Sequence, residues 1–270
     1  MKKLSNIIVL SLTSITLALA GGTTKLRVGG STTVLPIAQL AAEEFMNANP
    51  NVTLSVQGGG SGVGIASLID GTSDIADASR AMKDDEIKTA VAKGINPVAH
   101  VVAMDGIAVI LHSTNKIDNL TIDQIRKIYT GKISNWKEVG GEDRKIVVLS
   151  RDSASGTFEA FASLALNGEK VRKDALMNAS NKAIATTVGN TPAAIGYVGL
   201  GYLSSKIKAV TVENITCTKK NILTKTYPLS RPLFMYTNGK PKGELKNFID
   251  FILSKEGQEL VETAGYVGLK

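Results

Sequence analysis

Arg151-Asp152-Ser153-Ala154-Ser155-Gly156-Thr157 sets one permanent cation, three hydroxyl side chains and a glycine within seven residues. That set of groups can hold an oxyanion. A guanidinium offers a planar donor fork that matches oxyanion geometry, hydroxyls donate without adding charge, and a glycine lets the backbone come close to a ligand. The stretch follows Lys145-Ile146-Val147-Val148-Leu149, an apolar run that reads as a buried strand, and precedes Phe158 to Leu166, whose apolar residues recur at helical spacing. A helix beginning at that junction presents free N–H groups and a partial positive charge toward the same space. The plainer account is that Ser155 or Thr157 only caps the helix while Arg151 pairs with Asp152 or a surface carboxylate.

The same plan occurs twice upstream. Lys25 to Gly30 reads as a short strand with a glycine exit, Ser31-Thr32-Thr33 as a hydroxyl loop, and Pro36 to Ala48 as an amphipathic helix. Pro36 suits a first helical turn, where its missing N–H costs nothing. Val52 to Gln57 alternates as a strand, Gly58-Gly59-Gly60-Ser61-Gly62 follows, and a helix is predicted to about Asp70. This glycine run lacks the Gly-Lys-Ser/Thr ending of a nucleotide-binding loop and the flanking glycines of a nucleophile elbow. Taken alone it also fits a flexible turn. Asp74 to Arg80 reads as a short strand with a polar tip, on which Asp77 and Ser79 share a face.

The elements that must carry these loops alternate along the chain. A helix over Lys83–Lys93, a strand over Pro97–Val102, a break at Asp105-Gly106 and a strand over Ile107–Leu111 are expected. Thr121 caps a helix to Tyr129 with Gln124 at the capping-box position. Trp136 anchors a glycine-punctuated loop, helices run to about Met177, and Thr226 to Tyr236, stiffened by two prolines, returns toward the first half. One long helix is expected over Gly243–Ala264. Such alternation calls for an α/β fold with open sheets flanked by helices, and ligands in such folds sit beyond the carboxyl ends of strands. The loops are therefore expected to converge in a cleft between two lobes: residues 21–105 with 230–270, and residues 106–229.

Composition narrows the class of function. Met1-Lys2-Lys3, the apolar stretch Ile7–Leu17 and Ala18-Leu19-Ala20 form an export signal over residues 1–20, with cleavage expected after Ala20. The formal charge of +7 becomes 7 − 2 = +5 once Lys2 and Lys3 are removed, a balance that suits an anionic ligand or an anionic surface. No basic-aromatic stripe of the kind single-stranded nucleic acid needs is present, so no nucleic-acid partner is expected. Cys217 is the only cysteine, which rules out an intrachain disulfide and leaves none at the cleavage junction for a lipid anchor. Cys217 reads as a small, partly buried hydrophobe, with a reactive thiol as the alternative. No spacing of His, Cys, Asp and Glu suggests a metal, and no cofactor is implied. Catalysis by Ser61 or Ser155 needs a base. Only His100 and His112 exist, both beside apolar strands and read as structural, and the S-x-x-K match at Ser134-Asn135-Trp136-Lys137 lacks its companion motifs.

In combination these motifs resemble the periplasmic phosphate-binding proteins of phosphate ABC importers, the PstS-like family. The resemblance rests on Gly30-Ser31-Thr32-Thr33-Val34, Gly58 to Gly64, Asp74 to Arg80, Ile128 to Gly141, Arg151 to Phe158, Ile195-Gly196-Tyr197-Val198, Tyr227 to Leu233 and Phe251 to Leu269. It spans essentially the whole chain beyond the signal. It implies a two-lobed periplasmic-binding-protein-like (type II) fold that holds inorganic phosphate in the interlobe cleft, acts as a monomer, is no enzyme, and delivers its ligand to membrane permease subunits. A phosphate-sensing or adhesive surface protein on the same fold, or a serine hydrolase, are the alternatives. Carried over by motif, ligand contacts fall on Thr32, Thr33, Ser61, Arg151, Ser155, Gly156 and Thr157, and Ser31, Ser79 and Arg80 beside them are expected to line the same site. Some relatives place a proton-accepting aspartate at the strand tip. Ser79 occupies that place here, which leaves Asp77 as a candidate acceptor.

Overall fold

The computed structural model describes residues 23–269. The export signal expected over residues 1–20, with its cleavage point, lies outside the described residues. The chain opens with β1 (Thr24–Gly30), α1 (Leu35–Ala48), β2 (Val52–Gly58), α2 (Ser61–Ile69), β3 (Ile75–Ala78) and α3 (Asp84–Ala92). A long strand, β4 (Pro97–His112), leads into β5 (Asn119–Leu120), α4 (Ile122–Thr130), β6 (Val147–Arg151), α5 (Gly156–Leu164), β7 (Leu176–Asn178) and α6 (Asn181–Gly189). Then come β8 (Ala194–Gly199), β9 (Ile207–Ala209), β10 (Thr211–Val212) and α7 (Lys219–Leu223), before β11 (Ser230–Asn238), α8 (Gly243–Leu253) and α9 (Lys255–Thr263) close the chain.

The main sheet runs β2-β1-β3-β11-β4-β8-β6-β7, and β4 is the strand on which both halves are hung. Its first part pairs antiparallel with β11 from Pro97 to Gly106, and its second part pairs antiparallel with β8 from Ile107 to Leu111. On one side β1, β2 and β3 are parallel, and α1, α8 and α9 bury Phe45, Phe248 and Val261 against them, with Ile65 and Leu68 of α2 on the opposite face. On the other side β6 runs parallel to β8 and β7, around a core centred on Tyr129, Phe161, Tyr197 and Trp136. The result is the two-lobed α/β architecture, with each lobe closing its own apolar core.

Local signals account for several element ends. Thr121 Oγ1 accepts from Gln124 N at 3.1 Å, and Gln124 Oε1 accepts from Thr121 N at 2.9 Å, a reciprocal cap on α4. Trp136 is buried and donates from Nε1 to Ala193 O at 2.9 Å, pinning its loop to the turn that leads into β8.

Three expected boundaries differ. The break at Asp105-Gly106 does not occur, because Gly106 serves packing within an unbroken β4. A Cβ there would strike Cys217 Sγ and stand 2.9 Å from Ile222 Cδ1. Burial, with the nearby Asp105 charge, pushes the Cys217 thiol up to about 12, so it behaves as an inert, packed group. The single C-terminal helix is two, since Ser254 ends α8 in extended geometry and then caps α9 through Gly257 N at 3.2 Å. Helix does not reach Met177 either. Asn167 and Gly168 both take positive φ after α5 (50° and 77°), and Leu176–Asn178 pairs with β6 as an edge strand.

Candidate functional site

Three strand-to-helix loops meet where the two halves face each other. After β1, Ser31 organises the turn: its Oγ accepts from Thr33 N at 3.1 Å and Val34 N at 3.4 Å, so Thr32 and Thr33 are presented at the head of α1. After β2, Gly60 takes φ 100°, and a Cβ on it would stand 2.5 Å from Ala154 O of the third loop. That conformation puts Ser61 at the first position of α2 and lets Gly62 N donate to Ala154 O at 3.0 Å. After β6, Ser155 caps α5 by accepting from Phe158 N at 3.2 Å, so the plainer reading of Ser155 as a cap describes its geometry.

These loops then interlock through side chains. Thr33 Oγ1 and Thr157 Oγ1 lie 2.8 Å apart, and Ser61 Oγ and Ser79 Oγ 3.3 Å apart, with Ser79 N also donating to Ser61 Oγ at 3.0 Å. Gly156 fits between them because it has no Cβ: one there would collide with Ser61 Oγ and stand 2.8 Å from Ser79 Oγ. Thr33, Ser61, Ser79, Ser155 and Thr157 are all buried, so their hydroxyl donors face protein rather than bulk water.

Arg151 is 1% exposed. It donates from Nε to Asn178 O at 3.0 Å and from Nη2 to Ala179 O at 2.9 Å and Thr32 Oγ1 at 3.2 Å. Nη1 is buried and has no hydrogen-bond partner among the described residues. Its backbone N donates to Tyr197 OH at 3.1 Å, and burial pushes that phenol up to about 12, which keeps it neutral. Burial likewise lowers the Arg151 pKa, yet a guanidinium remains a cation. No carboxylate lies within ion-pair distance of Arg151 among the described residues. The buried cluster therefore holds two arginines and one neutralising carboxylate, because the second arginine, Arg231, is paired with Asp105.

Sequence reasoning missed three contributors. Arg231 Nη2 donates to Thr157 Oγ1 at 3.1 Å and Thr33 Oγ1 at 3.3 Å, while Nη1 donates to Ser79 O at 3.1 Å. Asn181 Nδ2 donates to Thr32 Oγ1 at 3.1 Å and Thr33 Oγ1 at 3.0 Å. Tyr202 OH donates to Thr32 O at 2.5 Å. A local signal existed for Asn181: Ser180 caps α6, so β7, Ser180-Asn181 and α6 form a fourth strand, hydroxyl loop and helix unit. Arg231 lay inside the return crossing and carried no loop signature.

The side chains of two expected residues make no hydrogen bond to the cluster. The Arg80 guanidinium, expected to line the site, is taken by carboxylates: Nη1 and Nη2 each lie 2.7 Å from Glu86, and Nε lies 2.9 Å from Glu159. Glu86 takes the two Nη groups by hydrogen bonds and Glu159 adds an ion contact in which Nε makes no aligned hydrogen bond, so the charge of Arg80 is neutralised by carboxylates and its side chain bonds to none of the hydroxyls. Asp77 is fully buried on β3, on the same strand face as Ile75, which packs under α1, and neither carboxylate oxygen has a hydrogen-bond partner among the described residues. Burial alone pushes its carboxyl well above the ordinary range. The two histidines are engaged elsewhere, His100 Nε2 with Thr237 Oγ1 at 2.9 Å and His112 Nδ1 with Thr114 Oγ1 at 2.8 Å.

Hydroxyl donors, helix N-termini and an incompletely satisfied guanidinium make this a receptor for a small oxyanion. A family model described as a PBP superfamily domain matches residues 18–256. The phosphate-binding protein PstS of Bacillus subtilis is 34% identical over 244 residues, covering 90% of this chain and 80% of that protein. Its counterpart in Borreliella burgdorferi is 34% identical over 255 residues, covering 90% and 89%. Among solved structures, a phosphate ABC transporter substrate-binding protein from Clostridium perfringens with bound phosphate superposes with a TM-score of 0.85 at 36% identity, covering 92% of this chain and 100% of that one. An ABC-type phosphate transport receptor from Vibrio cholerae gives a TM-score of 0.75 at 34% identity, covering 90% and 99%.

Proposed function

Because the chain belongs to the PBP superfamily and, within it, to the PstS family of phosphate-binding proteins, we propose that it captures inorganic phosphate outside the cytoplasm and hands it to the permease subunits of an ABC importer. The observation that carries this reading is Arg151 Nη1, a buried cationic donor without a protein partner among the described residues, set among Thr32, Thr33, Ser61 and Thr157. Phosphate oxygens accept from that fork, from the hydroxyls, and from the N-terminal amides of α2 and α5. Gly156 and Thr157 supply those amides on the Arg151 side, and Ser61 on the other, so ligand binding draws the two halves together.

Phosphate near neutral pH keeps a proton that sulfate lacks, and a single acceptor among donors sorts the two ions. We assign that role to Ser79, whose hydroxyl faces Ser61 in the cluster and can accept as well as donate. The Asp77 carboxylate makes no hydrogen bond to any of the hydroxyl or guanidinium donors among the described residues, and only its backbone carbonyl joins the site, accepting from Ser31 N at 2.8 Å. The lobes are residues 21–105 with 230–270 and residues 106–229, with β4 and β11 as the hinge strands, and cleavage after Ala20 releases the exported form. Neither Ser61 nor Ser155 has a histidine beside it, which supports a receptor rather than a hydrolase.

Calorimetric titration of the protein lacking residues 1–20 tests the reading. One phosphate is expected to bind per chain, with sulfate weaker by about tenfold or more, the effect of one mismatched buried polar group. Absence of phosphate binding removes the proposal.

A further inference from the structure

Arg80 follows β3 in one half of the molecule, and Glu159 lies in the first turns of α5 in the other, yet their side chains meet. Arg80 Nε is 2.9 Å from Glu159 Oε2, and Lys83 Nζ is 2.8 Å from the same oxygen. Glu86 holds the rest of the guanidinium at 2.7 Å, and Glu86 Oε2 also accepts from Lys83 N at 2.8 Å, so Arg80 is pre-set from its own side before Glu159 arrives. The site is sheltered: the side chain of Arg80 is 9% exposed and that of Glu159 18%. Burial works against the charged Glu86, but the Arg80 hydrogen bond, the Lys83 amide and the two positive charges together outweigh it and keep that carboxyl below its usual range.

The position of this network matters more than its strength. Arg80 is the residue after Ser79, and Glu159 is two residues after Thr157, so each partner is attached directly to a member of the donor cluster. Glu159 sits on the same first turns of α5 whose N-terminus carries Gly156 and Thr157. A mainly apolar surface cavity of about 410 Å³ is walled by Arg80 and Glu159 together with Ser79 and Arg231 of the cluster. The ion pair thus lines an opening that reaches Ser79 and Arg231 of the donor cluster.

Resting on the phosphate-receptor reading, we propose that Arg80 and Glu159, backed by Lys83, are positioning residues that clasp the two halves together and set how long the bound anion stays. They do not touch the ligand. The pair forms only when the halves meet, so it adds to the closed state without adding a donor, and its effect falls on dissociation rather than encounter. Partial burial shields the pair from salt less completely than a core pair would be shielded, which makes its contribution readable by ionic strength.

The experiment measures release of radiolabelled phosphate, chased with excess unlabelled phosphate, from wild type, Glu159→Gln, Glu159→Asp, Arg80→Gln and the Arg80→Gln/Glu159→Gln double variant. Glu159→Gln is expected to speed release about fivefold to tenfold, with association changed less than about twofold. Glu159→Asp should recover part of the lost dwell time, and the double variant should release no faster than the faster single variant, because the two act as one pair. Raising salt should accelerate release from wild type more than from Glu159→Gln. Thermal melting of the ligand-free variants separates a fold defect from a clasp defect. A lower ligand-free melting temperature with unchanged release overturns the proposal, as do additive effects in the double variant. Wild-type protein that binds no phosphate overturns the receptor reading instead, whereas wild-type binding with unaltered release in Glu159→Gln removes the clasp alone.

Discussion

Arg231 and Asp105 face each other in direct register across β11 and β4, with Nη2 2.8 Å and Nε 2.9 Å from Asp105 Oδ2, at the point where β4 passes from one half of the sheet to the other. Burial pushes the Asp105 carboxyl up and Arg231 pulls it back. Asp105 Oδ1 also accepts from Leu200 N at 2.9 Å, so one carboxylate ties the crossing strands, the segment after β8 and the arginine that reaches Thr33 and Thr157.

Asp105→Asn removes the counter-charge and leaves Arg231 buried as a cation. Breaking one side of a buried pair costs roughly 3–5 kcal/mol, so the ligand-free variant should unfold at lower denaturant concentration. A bound anion supplies some of the lost charge. Phosphate should therefore stabilise the variant more than it stabilises wild type, which urea unfolding with and without phosphate will read.

Arg151→Ala takes away the buried fork whose Nη1 has no protein partner among the described residues. Charge-assisted hydrogen bonds contribute roughly 1.5–3 kcal/mol each, so phosphate affinity should fall at least about tenfold. Arg151→Lys keeps a charge but loses the planar fork, and calorimetry should place it between wild type and the alanine variant. Unchanged affinity in the alanine variant would take Arg151 out of the site.

Asp77→Asn bears on stability rather than binding. The folded-state pKa of Asp77 is raised by burial, so the folded protein keeps this proton at pH values where the unfolded chain has released it. Its contribution is fully present below the unfolded value of about 3.9 and is lost as pH rises from there through the folded value. The asparagine variant cannot titrate. Its stability advantage over wild type should widen as pH is raised from about 4 toward 8, measured by urea unfolding at each pH. Phosphate-over-sulfate preference should be kept in this variant and reduced in Ser79→Ala.

Gly156→Ala would place a methyl group against Ser61 Oγ and Ser79 Oγ, the contact through which the halves come together. Alanine suits a helix at least as well as glycine, so ligand-free stability should stay within about 1 kcal/mol of wild type. Phosphate affinity should drop by about tenfold or more, a loss of the complementary fit that closure provides. Small-angle scattering should show the radius contracting with phosphate in wild type and not in the variant.

Most of the strand, loop and helix units were legible in the residues, because their signals are local. Gly60 at φ 100° before α2, Ser155 under Phe158 N, and the Thr121–Gln124 cap each depend on atoms a few positions apart, and such spacing is visible in any sequence. Hydroxyls and glycines at three helix starts likewise pointed to an anion before any contact was known. The role of Gly106 was not legible. A glycine in an apolar run reads as a break, and only the packing of Cys217 and Ile222 against it shows why the strand continues.

Backbone capping and side-chain chemistry act over short range, so the helix-start loops that carry the donors and the preference for an anion follow from the residues alone. Tertiary structure alone decided which of those residues share one site. Arg231 reaches Thr157 from 74 residues away and Thr33 from 198, and Asn181 reaches Thr33 from 148, through strand crossings whose register no local pattern records. It also gave Arg80 to carboxylates rather than hydroxyls, because Glu86 of α3 holds its guanidinium from the same half and Glu159 of α5 reaches it once the two halves of the sheet are packed.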